Sequence, residues 1–407
     1  MTEPPFRLHP LHRLWRRLPA DRRRRLVTRL TAALAPKPDA DPPPAARGLA
    51  VVGELSRTSG LGEAARLSLA ALERIGVPGY ALDIGGFLPG GGGGSAVTLP
   101  PPGVPLLVHI NPPLLPLVLS RLPRRLLRGR RVIGQWAWEL PIVPPDWREG
   151  VAFVHGLWGP SRFTAAALEP LLPGRVRAVV HPLAVAPPVP SRLDRAAFGL
   201  PDDAVVVLVS FNLASSLVRK NPLGAIAAFR DAFAGRADRL LVLKIGNPGH
   251  FPDDFRLLQD AVSGATNIRI LTEGLCTADN HALTAAADIV LSLHRSEGFG
   301  LVPAEAMLLG RPVIATAWSG NMDFMDRDSA MLIDAKMIPA VDPRGIYQVK
   351  GAVWADPDPT QAVQALRRLA DDPALRAALG ERGRAKALRS LGVEPMAAAL
   401  AEIGVRP

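Results

Sequence analysis

Two carboxylates eight residues apart, Glu297 and Glu305, lie in the run His294-Arg-Ser-Glu-Gly-Phe-Gly-Leu-Val-Pro-Ala-Glu305. This run falls between an apolar stretch ending at Leu293 and a helix expected to begin near Pro303, because proline suits a first helical turn. Gly298 and Gly300 let the backbone come close to a ligand. The free N–H groups and dipole of a helix start favour an anion such as phosphate. A carboxylate accepts hydrogen bonds, so Glu297 and Glu305 suit hydroxyl pairs at the two ends of one elongated ligand, a sugar ring or a ribose. A glycine-rich turn with a buried glutamate cap is the plainer reading. It leaves the coincidence of glycines, helix start and both carboxylates unexplained.

Other candidates cluster in the first half. Ser59-Gly60-Leu61-Gly62-Glu63 follows an expected strand and opens an expected helix. Gly60-x-Gly62-x-x-Ala65, with Asp83 further on, also fits a dinucleotide fingerprint, which makes an NAD-dependent oxidoreductase an alternative. Against it, six residues (54–59) separate the strand from the first glycine, and Glu297 and Glu305 are left without a role. His109 ends an expected strand and belongs either to the core or to a site. Trp136, Trp138 and Glu139 form an aromatic and acidic cluster at another strand end. Indole faces stack on sugar rings, so an acceptor role and core packing both stand. Asp326-Arg-Asp328 and Asp39-Ala-Asp41 are D-x-D sequences, but neither ends a strand, and no His/Cys cluster has zinc spacing. No catalytic metal and no cofactor are expected.

The elements that must position these residues alternate. Expected strands are 49–53, 80–84, 106–110, 132–136, 151–158 and 176–181, then 205–210, 240–245, 268–271, 289–293 and 313–316. Expected helices include 63–75, 161–171, 222–234, 251–262, 277–287 and 303–309, with C-terminal helices from about Thr360. Such alternation implies parallel sheets covered on both faces. The Pro-rich stretch 182–190 divides two runs, so we expect an α/β chain of two doubly wound domains facing a central cleft, with the site at the strands' carboxyl ends. The expected boundaries are 1–47 (basic arm and Pro-rich linker), 48–187, 188–385, and 386–407, a C-terminal helix that crosses back to the first domain.

Composition bounds the function. The chain has 407 residues, 48% apolar and 21% charged, which fits a folded globular protein rather than a disordered one. Its lone cysteine, Cys276, excludes a disulfide scaffold. The net charge of +11 is uneven: residues 1–47 carry +7, residues 121–131 carry +6, and the remainder carries −2. Arginine outnumbers lysine 42 to 6, so some of this is compositional bias. The basic segments lack interleaved aromatics apart from Trp15, which argues against nucleic acid. No run reaches the roughly 18–20 apolar residues of a membrane span, and no secretory signal is read. Leu11, Leu14, Trp15 and Leu18, then Leu26, Val27 and Leu30, recur at helical spacing among arginines. Residues 1–34 and 121–131 are therefore expected to touch an anionic membrane surface. A solvated helix is the alternative. The expected location is cytoplasmic, peripheral on the inner face of the plasma membrane.

Glu297 to Glu305 resembles the E-x7-E motif of retaining glycosyltransferases of the GT-B fold, in family 4. Gly310-Arg-Pro-Val-Ile-Ala-Thr-Ala-Trp-Ser-Gly-Asn-Met-Asp resembles its continuation. Gln135-Trp-Ala-Trp-Glu-Leu-Pro through Trp158-Gly-Pro-Ser-Arg-Phe, and Arg219-Lys-Asn-Pro-Leu-Gly-Ala-Ile-Ala-Ala-Phe-Arg, resemble a bacterial polysaccharide branch. The resemblance covers about residues 48–390. It implies a retaining, metal-independent hexosyltransferase that moves a sugar from a nucleoside-diphosphate donor to a glycan or lipid-linked glycan. Glu297 would hold donor hydroxyls, and Gly298, Phe299, Gly300 and Leu301 the sugar and phosphate. Glu305 would bind the ribose, and Lys220 the departing diphosphate. Gly60 and Gly62 would close over the phosphates, and His109 would lie near the reacting sugar. The family usually places an arginine five residues before the lysine. Here that residue is Ser215, and Arg219 is the expected substitute. The implied mechanism is dissociative, with attack on the face the diphosphate leaves. A sugar-binding module without catalysis is a further alternative on the same fold.

Overall fold

The structure is a computed structural model and describes residues 20–57, 59–88 and 98–406. The first sheet contains β1 (Leu49–Gly53), β2 (Gly79–Asp83), β3 (Leu106–Val108), β4 (Val132–Gln135), β5 (Gly156–Gly159) and β6 (Val176–Ala178), in the order β2-β1-β3-β4-β5-β6. The second contains β7 (Val205–Asn212), β8 (Arg239–Gly246), β9 (Ile268–Leu271), β10 (Ile289–Ser292), β11 (Val313–Thr316) and β12 (Met331–Ile333), in the order β12-β11-β10-β7-β8-β9. Every pairing in both sheets is parallel. Strands buried on both faces are almost wholly apolar, as in Leu49–Gly53 and the Val313–Ala315 part of β11, because helices cover each side.

Several helix starts are fixed by side chains that accept the otherwise unpaired first N–H groups. Ser59 accepts from Gly62 N at the head of helix Gly60–Ile75. Ser161 accepts from Thr164 N at the head of helix Arg162–Leu168.

The expected strand 151–158 is shorter than its composition implies. Residues Pro145–Phe153 form a 3-10 run after Pro144, and extended pairing begins only when His155 N donates to Val132 O. Helix Leu115–Arg121 lies inside an apolar stretch that periodicity alone left unassigned. An antiparallel hairpin, β13 (Ala335–Pro339) with β14 (Val353–Pro357), was not expected either. Its loop residue Tyr347 and its strand residue Trp354 join the first domain's core beside Trp136, Trp138 and Trp147. The last helix, Glu394–Glu402, packs Met396, Ala399 and Leu400 against Leu49, Val51 and Leu107 of the first domain.

Helix Ala20–Leu34 turns Thr28 and Ala32 inward against the first domain and leaves Leu26, Val27, Leu30 and Leu34 outward, with Leu34 77% exposed. Leu11, Leu14, Trp15 and Leu18 lie outside the described residues. Among the described residues, no helix is long and apolar enough to cross a membrane.

Candidate active site

The expected site residues follow the carboxyl ends of strands: Gly60 after β1, His109 after β3, Trp136–Glu139 after β4, Lys220 after β7 and Glu297 after β10. The two domains meet there. Ser161 Oγ donates to the Gly298 carbonyl at 2.6 Å, and Thr164 Oγ1 lies 3.1 Å from the same carbonyl. Asp323 of the second domain accepts from Arg162 N at 2.7 Å and from its Nε at 3.0 Å.

Lys220 and Glu297 are a direct pair: Nζ donates to Oε1 at 2.6 Å. Arg219 NH1 lies 3.2 Å from Oε2. Burial alone would raise the Glu297 carboxyl, but Lys220 and Arg219 outweigh it and hold it down at about 2. Glu297 N donates to Ser319 Oγ at 2.8 Å, which fixes the loop. Gly320 backs it so closely that a Cβ there would lie 2.2 Å from the Gly298 carbonyl. Gly300, at φ +103°, starts helix Leu301–Leu308, two residues earlier than Pro303 implied.

The two cations sit on a strained turn. Ser216 holds φ +71°, ψ 119°, and Asn221 holds φ +53°, ψ 45°. A non-glycine residue in such a region costs about 1–3 kcal/mol. Ser216 Oγ accepts from Arg219 N at 3.3 Å, and Asn221 Nδ2 donates to Leu293 O at 2.9 Å, so the turn is tied to the end of β10.

Arg219 differs from its expected role. Its guanidinium is only 3% exposed, donates to Ser296 O at 2.7 Å and Ser215 O at 3.1 Å, and lies under the Tyr347 ring, 5.3 Å from its centre. Held so, it backs Glu297 and is not presented to a ligand.

The tryptophans also differ. Trp136 is fully buried and Trp138 nearly so; both pack on Trp147, and Trp138 on Tyr347 as well. Neither offers a ring face for sugar stacking. Glu139, held on a segment stapled by Asn111 to Ala137 N and O, points instead toward Arg219.

His109 is buried. Ser68 Oγ donates to Ala64 O, so His109 Nε2 is assigned as the donor to Ser68 Oγ at 3.3 Å, which leaves Nδ1 as an acceptor without a partner among the described residues. Burial, and then His181, push its pKa down to about 3. His181 itself is pushed to about 4 by burial and packs edge-on against Phe299. Phe299 is thus a packing wedge.

Gly60 faces the second domain: a Cβ there would lie 3.8 Å from Leu301 Cδ1. Glu305 is partly exposed, with His281 Nε2 3.9 Å from its Oε1. Burial would lower His281, yet Glu305 leaves it raised. The alternative dinucleotide residue, Asp83, accepts from Gly85 N at 2.9 Å within its own turn. No His/Cys/Asp/Glu group among the described residues could hold a metal ion.

Sequence reasoning missed Tyr347, Asp342, Ser161, Thr164 and His181. Asp342-Pro-Arg-Gly345 is a readable turn signal, but nothing in it says that Tyr347 reaches the other domain.

Two facing doubly wound domains with the site in the cleft define the GT-B architecture. Solved structures share it. "Anabaena Alr3699/HepE in complex with UDP and glucose" matches with a TM-score of 0.60 and 15% identity, over 88% of this chain and 99% of that one. Sucrose-phosphate synthase from Thermosynechococcus elongatus matches with a TM-score of 0.60 and 17% identity, over 88% and 98%. Residues 192–386, which span the second domain, match the family described as glycosyl transferases group 1. A D-inositol 3-phosphate glycosyltransferase of Nocardioides sp. (strain ATCC BAA-499 / JS614) is 30% identical over 217 residues, 50% of this chain and 43% of the relative. The chain thus spans less than half the length of that relative.

Proposed function

We propose that the chain is a retaining, metal-independent glycosyltransferase that moves a hexosyl group from a nucleoside-diphosphate sugar to a hydroxyl of a glycan or lipid-linked acceptor in bacterial surface polysaccharide synthesis. The observation that carries this is the Lys220–Glu297 pair, 2.6 Å apart at the loop before helix Leu301–Leu308. An anion at that helix start meets free N–H groups and a lysine, while a sugar on the same ligand meets a carboxylate held ionised. Glu305 receives the ribose, and His109 Nδ1, which has no partner among the described residues, accepts from a sugar hydroxyl. The diphosphate leaves toward Lys220, and the acceptor hydroxyl attacks from the face it vacates, its proton passing to the departing phosphate. The group 1 match and the UDP named in the Anabaena complex support a nucleotide-sugar donor.

The acceptor side is the first domain. Helix Ala20–Leu34 and the exposed Arg121, Arg124, Arg125 and Arg128 give it an apolar and basic outer surface suited to an anionic membrane. The name of the Nocardioides relative makes D-inositol 3-phosphate a second acceptor to test.

The test is donor turnover by Glu297→Ala and Lys220→Ala across UDP-, GDP-, ADP- and TDP-sugars, with lipid-linked glycan and D-inositol 3-phosphate as acceptors. Each substitution is expected to reduce turnover by about 10²–10³, the cost of removing one group that stabilises transition-state charge. Wild-type turnover in both variants would refute the assignment.

A further inference from the structure

Glu297 is held by two cations in unlike settings. Lys220 reaches Oε1 at 2.6 Å with a side chain one-fifth exposed, whereas Arg219 lies 3.2 Å from Oε2 and is enclosed. Only Lys220 is free to exchange its partner for a ligand. Arg219 is pinned by the Ser215 and Ser296 carbonyls and covered by Tyr347. Its far nitrogen lies 3.9 Å from Glu139 Oε1, and the Tyr347 hydroxyl donates to Glu139 Oε2 at 3.2 Å. Asp342 fixes Tyr347 by accepting from the N–H groups of Ile346 at 2.9 Å and Tyr347 at 3.1 Å, and from the Ser216 hydroxyl at 3.3 Å.

We propose that Arg219, Glu139 and Tyr347 form a positioning clamp that keeps Glu297 ionised and in place when Lys220 leaves it for the donor diphosphate. This rests on the reading of the cleft as a nucleotide-sugar site. In the free protein Lys220 occupies Oε1. A diphosphate draws the ammonium away, and Oε1 then accepts from a hydroxyl of the donor sugar. No covalent bond changes in this exchange. A buried carboxylate stripped of both cations would take up a proton or turn away; Arg219 prevents that by staying on Oε2. Glu139 comes from the first domain and Tyr347 from the hairpin loop of the second. The clamp is therefore complete only while the domains are apposed, as the Ser161–Gly298 and Thr164–Gly298 hydrogen bonds hold them.

The experiment compares Tyr347→Phe, Glu139→Gln and Lys220→Ala in the full chain. Calorimetry measures the Kd of whichever of UDP, GDP, ADP or TDP binds wild type best, and release of free sugar from the matching nucleotide-sugar gives kcat and its pH profile. Tyr347→Phe and Glu139→Gln are expected to bind the diphosphate within about twofold of wild type, yet to lose about ten- to a hundredfold in kcat, as misplacement of a positioned group does. Their acid limb moves to higher pH as Glu297 becomes easier to protonate. Lys220→Ala loses diphosphate affinity instead. A clamp variant that loses affinity in proportion to kcat overturns the proposal, because it puts Arg219 on the phosphates. Unchanged kcat with an unmoved acid limb overturns it too. Thermal melting checks folding; if Glu139→Gln fails to fold, Tyr347→Phe, which keeps the ring over Arg219, carries the same test. If wild type binds no diphosphate, or Lys220→Ala binds as tightly as wild type, the nucleotide-sugar reading itself fails, and the clamp with it.

Discussion

In the cleft, Arg219 is enclosed among the Ser215 and Ser296 carbonyls and two carboxylates. On the outer face of the first domain, Arg124, Arg125 and Arg128 are exposed, with no carboxylate partner among the described residues. One residue type does two different jobs. Inside, its charge offsets the burial of Glu297 and fixes geometry. Outside, it is left over as field. Even the basic run 121–131 divides: Arg130 turns inward, donating to the carbonyls of Pro100 at 2.6 Å and Val104 at 3.0 Å, so it adds nothing to the surface.

The sharpest way to break this contrast is one substitution made in both places. Arg219→Met strands Glu297 and Glu139 with less compensation, and breaking a buried ion pair from one side costs about 3–5 kcal/mol. Arg128→Met removes an exposed charge and should stay within about 0.5 kcal/mol of wild type. Urea unfolding of both variants decides it. Equal effects would mean that Arg219 is not a buried counter-charge.

Sequence carried the loop around Glu297 further than the rest of the candidate site. Glu297 and the glycines stood out because a strand-end loop, a helix start and charged residues coincide within a short window, whereas Lys220 was singled out only through the family resemblance. The architecture was legible because apolar runs buried on both faces leave a clear alternation. What failed was tertiary. Trp136 and Trp138 have the residue type for sugar stacking, but only packing shows that Trp147 and Tyr347 cover their faces. Arg219 and Lys220 are neighbours with the same charge. Which faces the cleft is set by a strained four-residue turn between Ser216 and Asn221 that no periodicity encodes. The β13–β14 hairpin was invisible because its strand residues Ala335–Pro339 are mostly exposed and carry no continuous buried apolar run.

A second difference between the two faces is in titration. The cleft buries His109, His181 and His294 in neutral form: burial, joined by His181, lowers His109 to about 3, burial lowers His181 to about 4, and burial lowers His294 as well. In the unfolded chain each titrates near 6.5. Below that value the unfolded state binds protons that the folded state refuses, so stability rises with pH through this window and is lost as pH falls. Each such group adds a slope of about 1.4 kcal/mol per pH unit while its window is open, from about 6.5 down to its folded pKa. Glu297 acts in the same direction lower down, between its ordinary carboxylate range and about 2. His109→Asn should flatten the dependence between pH 6 and 4 by about one group's slope in urea unfolding. An unaltered slope would show that His109 is not held neutral by the fold.

The outer face predicts the smallest effect per residue, and one governed by salt. Its apolar stripe, Leu26, Val27, Leu30 and Leu34, points away from the domain. Near an anionic bilayer each arginine contributes about 1 kcal/mol, so Arg128→Ser should weaken binding of the full chain to phosphatidylserine-containing vesicles about fivefold. That loss should shrink as salt rises, because charges near the surface are screened within about 8–10 Å at physiological ionic strength. Leu34→Ser should weaken binding at every salt concentration, since apolar insertion is not screened. The two substitutions therefore separate a field effect from an insertion effect on one surface. Sedimentation with anionic and with purely zwitterionic vesicles reads both. Equal binding to the two vesicle types, unmoved by either substitution, would leave the arginines of this face as compositional bias and the leucines as an ordinary exposed row.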